Sequence, residues 1–146
     1  MRLLLQRVSR AEVTVDGAVI GSIGKGYLLF LCVMAGDTSA HAQLLAEKVT
    51  KLRLFPGEVG KVNDRSIADV GGSILVVSQF TLAGDVSKGS RPDYTKAAPP
   101  ADAETLYEFF IEKVRASGIP VEAGQFGAAM EVTLVNDGPV TLWLEN

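Results

Sequence analysis

Gly71-Gly72-Ser73-Ile74-Leu75-Val76-Val77-Ser78-Gln79-Phe80-Thr81-Leu82 is the stretch whose reading decides the fold. Ser73 to Val77 is a short, essentially apolar run bounded by glycine. It lacks the alternation of a half-solvated strand and has the length of a buried central strand. The run gives way at once to Ser78-Gln79, and strand ends that turn polar are where binding groups are commonly placed.

Upstream, Leu3 to Val8 and Ala11 to Val15 read as short β-type runs. Asp16-Gly17 followed by Ala18-Val19-Ile20 is a strong hairpin signal. Gly21, Gly24 and Gly26 read as turns before an apolar strand, Tyr27 to Val33. They precede a strand rather than a helix, so they do not make a phosphate loop, and Gly57 to Lys61 lacks the Walker spacing. Asp37 or Thr38 caps a first helix that runs to about Leu52. Its expected buried stripe is Leu44, Leu45, Val49 and Leu52, with Lys48 and Lys51 at the negative end of the dipole. Phe55 to Gly72 reads as a long irregular connection.

Downstream, Ala83 to Pro100 is a second long loop. It is locally basic, because Lys88, Arg91 and Lys96 outnumber Asp85 and Asp93; a phosphate contact and a plain solvated loop both fit. A second helix is expected from about Ala101 or Asp102 to Ser117, burying Ala103, Leu106, Tyr107, Phe110 and Val114 and stopped by Gly118. Strands follow, with Gly124-Gln125-Phe126 between them. Asn136-Asp137-Gly138-Pro139-Val140-Thr141 reads as a turn separating Glu131 to Val135 from Val140 to Leu144, since each of its first four residues favours turns. The order implies a single mixed α/β domain over residues 1–146, with two helices on a largely antiparallel framework.

The composition narrows the function. With 47% hydrophobic and 21% charged residues the chain is ordinary for a soluble globular protein. The longest apolar stretch, Tyr27 to Ala35, is too short to span a bilayer as a helix. The N-terminal run is too short for a signal peptide, so a soluble, cytoplasmic protein with no membrane partner is expected. Cys32 and His41 are each the sole residue of their kind, which removes disulfides and clustered Cys/His zinc sites. Nothing calls for a metal or another cofactor. A Ser-His-Asp or Cys-His scheme would need His41 as its base, and no Ser or Cys in a nucleophile-elbow context accompanies it. The net charge of −3 gives no global pull towards nucleic acid, so such a partner needs a local basic patch.

Four segments together resemble the D-aminoacyl-tRNA deacylase family: Gln6-Arg7-Val8, Gly71-Gly72-Ser73 leading into Ser78-Gln79-Phe80-Thr81-Leu82, the Lys88 to Lys96 loop, and Asn136 to Thr141. The resemblance implies a barrel-like core with two main helices. It also implies an enzyme that hydrolyses the ester joining a D-amino acid or glycine to the 3′-terminal adenosine of tRNA. A homodimer is implied too, in which Gly138-Pro139 of one subunit, joined by a cis peptide bond, enters the other's site. Arg7 and Gln79 are then expected to brace that segment and the pocket.

The chemistry sets an unusual demand: many side chains must be accepted and L-amino acids refused. Main-chain carbonyls of Gly138 and Pro139 can meet the α-ammonium and leave no space beside Cα for an L side chain. Thr81 is the side-chain candidate for nucleophile but is internal and has no evident base. The neighbouring ribose hydroxyl is already positioned, so substrate-assisted hydrolysis is the expected mechanism. Phe80 and Thr81 would offer main-chain N–H groups to the oxyanion, Phe80 would pack on the adenine, Met130 would line the pocket, and Lys88 and Arg91 would meet phosphate. Two alternatives stand beside this reading. One is a non-catalytic module for an RNA end or single-stranded nucleic acid; the other is a Thr81-dependent esterase.

Overall fold

In the computed structural model, which describes residues 1–146, the chain is hung on one long strand. That strand, β1 (Arg2–Val15), joins the two short runs expected at its position. The chain then forms β2 (Ala18–Ile23), β3 (Gly26–Cys32), α1 (Ser39–Lys51), β4 (Arg53–Phe55) and β5 (Arg65–Ser66). It continues through β6 (Ser73–Ser78), a 3-10 turn (Phe80–Ala83), α2 (Pro100–Ala116), β7 (Val121–Ala123) and β8 (Glu131–Glu145). No helix is long and apolar enough to cross a membrane.

β1 pairs antiparallel with β2, β3 and β8. β6 runs parallel to β3 on one side and to β7 on the other. Parallel neighbours cannot be joined by a tight turn and need a crossover. α1 lies in the connection from β3 to β6, and α2 in the connection from β6 to β7. β2 and β7, at the two ends of the strand order, touch each other, so the mixed sheet nearly closes into a barrel.

The hairpin at Asp16-Gly17 forms as expected, with both residues at positive φ (50° and 78°), the requirement of a two-residue hairpin loop that matches strand twist. Gly26 is not a turn. It opens β3 where the backbones approach so closely that a Cβ would lie 1.8 Å from the Ser73 carbonyl oxygen.

β6 explains the apolar run from which the sequence reading began. Ile74 and Val76 enter the large core cluster shared with both helices, while Leu75 and Val77 enter a smaller cluster on the opposite face. Tyr27, Leu29 and Leu31 of β3 divide from Leu28 in the same way. With both faces covered there is no polar position to create alternation. Each such fully buried side chain contributes about 1.5–3 kcal/mol.

α1 buries Ala42, Leu45, Ala46 and Val49. Leu44, expected in that stripe, is 61% exposed, because the buried arc is centred one position further round and is completed by alanines. Thr38 takes the N-cap, and its N–H donates to His41 Nδ1 at 3.0 Å. His41 is thereby a capping side chain. The Phe55–Gly72 connection is less irregular than expected, since β5 within it folds back to pair with β4 at its start.

Tyr107 of α2 is buried, and its hydroxyl donates to the Val76 carbonyl at 2.9 Å, close to that of Gly124 at 3.4 Å. Burial pushes its phenol well above the ordinary tyrosine range, so it stays a donor. Tyr107→Phe leaves these buried carbonyls without that donor and is expected to cost about 1–2 kcal/mol, read as a lower urea midpoint at unchanged slope.

β8 departs most from expectation. Asn136-Thr141 does not turn the chain back; both flanks pair with β1 as one strand. Asn136 stands opposite Val8 and Thr141 opposite Gln6, so Asp137, Gly138, Pro139 and Val140 are looped out against Arg7 alone. The segment is an enlarged β-bulge on an edge strand. Turn residues are needed in either case, which is why residue type alone did not separate the two.

Candidate active site

The excursion is built from beneath. Arg7 is only 7% exposed. Its Nε donates to the Asp137 carbonyl at 3.2 Å and lies 2.9 Å from the Asp137 carboxylate. Its Nη1 donates to the Leu54 carbonyl, and the guanidinium sits 5.8 Å above the Phe55 ring. Asn136 Nδ2 closes the base of the loop, donating to the carbonyls of Arg7 (3.0 Å) and Val140 (3.2 Å). Gly138 and Pro139 stand exposed at the tip, joined by a cis peptide bond.

A second feature lies elsewhere on the chain, at the carboxyl ends of β6 and β7, where ligands bind in sheets with parallel strands. A cavity of about 670 Å3 opens there, within the ~300–1,000 Å3 usual for small-molecule sites. Val77, Ser78, Gln79 and Phe80 supply one wall; Tyr94, Thr95 and Ala97 to Pro100 supply another. Ala103 of α2, Phe126 to Ala128 after β7, and Met130 and Val132 complete it. Phe80 is 60% exposed and meets the Tyr94 ring edge-on at 5.2 Å. Phe126 is backed by Tyr107, with ring centroids 5.8 Å apart.

The predicted residues thus fall into three groups. Ser78, Gln79, Phe80 and Met130 line the cavity, and Thr81, second residue of the 3-10 turn that Phe80 begins, is not part of its lining. Arg7, Gly138 and Pro139 form the braced excursion and do not line the cavity of their own chain. Lys88 and Arg91 are exposed in the loop and also stand away from the cavity wall. Sequence reasoning missed Tyr94, Thr95, Phe126 and Ala103 as wall residues. The only signal for Tyr94 and Thr95 was the length of their loop.

Gln79 Nε2 donates to Thr81 Oγ1 at 2.5 Å. The 3-10 turn that carries Phe80 and Thr81 is tied down by Arg2 Nη1, which donates to the Leu82 carbonyl at 3.0 Å, and by the Cys32 thiol beneath the Phe80 carbonyl. Burial raises the Cys32 thiol, so it stays protonated. The first N–H groups of any helical turn lack an internal partner. No three His, Cys, Asp or Glu side chains converge closely enough to hold a metal.

In the 84–96 loop, Lys96 is not free as expected: its Nζ lies 3.0 Å from the Asp85 carboxylate. The Ser87 hydroxyl and N–H, and then Lys96, hold the Asp85 carboxyl far below the usual carboxylate range. Lys88 and Arg91 have no such carboxylate partner.

The family model described as D-Tyr-tRNA(Tyr) deacylase matches residues 4–145. The D-aminoacyl-tRNA deacylase of Ruegeria pomeroyi is 56% identical over 145 residues, 99% of each chain. That of Thermomicrobium roseum is 60% identical over 146 residues, all of this chain and 94% of the relative. Among solved structures, a c-Myc DNA unwinding element binding protein is 42% identical with a TM-score of 0.94, covering 100% of this chain and 99% of its own. A probable eukaryotic D-amino acid tRNA deacylase shares the fold at 17% identity and a TM-score of 0.84, over 98% and 97% of the two chains. The family-model match over nearly the whole chain, together with relatives 56% and 60% identical end to end, shows that this chain belongs to the D-Tyr-tRNA(Tyr) deacylase family.

Proposed function

We propose that the protein hydrolyses the ester between a D-amino acid, or glycine, and the 3′-terminal adenosine of tRNA, and spares L-aminoacyl-tRNA. The observation that carries this reading is the pairing of an open cavity with a rigidly braced, exposed Gly138-Pro139 tip that lies outside it. In a two-fold dimer the tip of one subunit enters the partner's cavity and completes it. The main-chain carbonyls of Gly138 and Pro139 then accept hydrogen bonds from the substrate's α-ammonium and occupy the space that an L side chain would need. Refusing L-substrates a thousandfold requires about 4 kcal/mol, within reach of a clash against backbone that cannot yield. A test of this kind passes glycine, which presents only a hydrogen.

Phe80 packs against the adenine, with Met130 on the same wall. The N–H groups of Phe80 and Thr81 receive the developing oxyanion. The attacking water is assisted by the adenosine 2′-hydroxyl. What supports this over a threonine nucleophile is the hydrogen bonding: Thr81 Oγ1 already accepts from Gln79, and His41 is committed to the Thr38 cap in the first turn of α1. No base stands ready to take the Thr81 proton.

Lys88 and Arg91 meet the phosphates of the acceptor end. With Lys96 paired to Asp85, only about two phosphates are neutralised. The affinity for D-aminoacyl-tRNA is then expected to fall with salt at a log–log slope of about −2; a slope steeper than about −4 contradicts an end-only grip. The experiment that tests the whole reading follows deacylation of D- and L-aminoacyl-tRNA of one identity. Selective loss of the D-ester is expected, and equal or absent turnover refutes it. Binding without turnover would instead favour the nucleic-acid-binding module already open from the sequence, an alternative that the name of the 42%-identical relative keeps in view.

A further inference from the structure

We infer that Asp85 and Lys96 are positioning residues for the reacting end of the cavity, acting through Tyr94 on Phe80 and Thr81; the inference rests on the roles proposed above for those two residues. The loop between the 3-10 turn and α2 is closed at its neck. Asp85 and Asp93 exchange both main-chain hydrogen bonds, at 2.8 and 2.9 Å. Across this neck the Asp85 carboxylate binds Lys96 Nζ at 3.0 Å and the Ser87 N–H at 3.0 Å. It is the loop's single ion pair. Asp93 accepts the Thr95 N–H at 2.8 Å. The far side is pinned to the segment after β3, where Ala35 N–H donates to the Lys96 carbonyl and Ala98 N–H to that of Val33.

The residue held between these two anchors is Tyr94. Its ring stands edge-on to Phe80 at 5.2 Å and lies against Gly84. A Cβ at Gly84 would approach both Tyr94 Cε1 and the Thr81 carbonyl oxygen to 3.0 Å. A continuous line of contact therefore runs from the ion pair, through Tyr94 and Gly84, to the turn that carries Phe80 and Thr81. Releasing the pair loosens the wall on which that turn is aligned. Because Lys96 is 60% and Asp85 34% exposed, the pair adds little to global stability. Its effect is local geometry.

This role makes a prediction opposite in sign to the simpler one. If Lys96 were a phosphate ligand merely restrained by Asp85, Asp85→Ala would free a cation and tighten binding of tRNA. If the pair positions the wall, Asp85→Ala and Lys96→Met each lower kcat about 10-fold, with KM changed less than about twofold, since small misplacements of reacting groups have effects of that size. The double variant loses no more than the worse single one, because both remove the same interaction. Tyr94→Leu reproduces the loss, Lys96→Arg retains activity, and melting temperatures stay at the wild-type value. A wild-type kcat in Asp85→Ala, or a KM that falls most at low salt, overturns the inference. The Tyr94 ring-proton shifts, displaced by the Phe80 ring, give a readout that needs no substrate. They collapse in Asp85→Ala if the inference holds, and an unchanged spectrum overturns it. A wild-type enzyme inactive on D-aminoacyl-tRNA refutes instead the function proposed above, and the ring shifts still decide the positioning role.

Discussion

Gly138→Ala is expected to lose about a hundredfold in kcat/KM on D-aminoacyl-tRNA while melting at the wild-type temperature. The two halves of this expectation come from different places. Within its own chain a Cβ at Gly138 meets only Asn136 Oδ1, at an ordinary 3.4 Å, and the residue is not among those at positive φ. The excursion therefore accepts the methyl without strain. In the proposed complex the same methyl points at the substrate's Cα, where no slack exists. Overfilling a tight site costs about 1–3 kcal/mol, and a hundredfold is about 2.7 kcal/mol, inside that range. Single-turnover rates with D-, L- and glycyl-tRNA, set beside a thermal melt, make the check. A variant with unchanged rates and unchanged D/L preference would remove the excursion from the mechanism.

Removing the 2′-hydroxyl of the terminal adenosine is expected to slow hydrolysis by about a thousandfold, whereas Thr81→Ala stays within about fivefold of wild type. General acid–base assistance by a positioned group is worth about 100- to 10,000-fold, and in the proposed scheme that group belongs to the substrate. Thr81→Ala removes an acceptor from Gln79 Nε2, which is half-buried and finds water instead. The main-chain N–H of residue 81 survives the substitution, so the oxyanion contact is kept. The reverse pattern, a dead Thr81→Ala with an indifferent 2′-deoxy substrate, would establish the threonine esterase.

Much of the fold could be read along the chain because single elements carry their own signatures. β6 is apolar on both faces, α2 shows one clean stripe, and Asp16-Gly17 sits where only positive φ suffices. The mistaken details share a cause, which is that partners distant in sequence decide them. Whether Asn136 to Thr141 reverses the chain or bulges from it depends on β1, more than a hundred positions earlier. Whether Lys96 offers its charge to phosphate depends on Asp85 across the loop neck. The cavity residues at β6 were found through the resemblance and the strand-end rule. Tyr94 and Phe126 were not, since nothing near either marks it as a wall for Phe80 or Met130.

The excursion on β8 has one more consequence. The ladder on its two sides is set by separate stretches of β1, Arg2 to Gln6 and Val8 to Thr14, so neither half depends on the residues between for its register. Asp137 to Val140 thus behaves as a cassette clipped onto a finished sheet, held by Arg7 and Asn136 at its root. Mutation can explore the tip while the scaffold stays folded, and under the function proposed above that gives a lineage a direct route to retune which esters are cleaved without reinventing the protein that carries the tip.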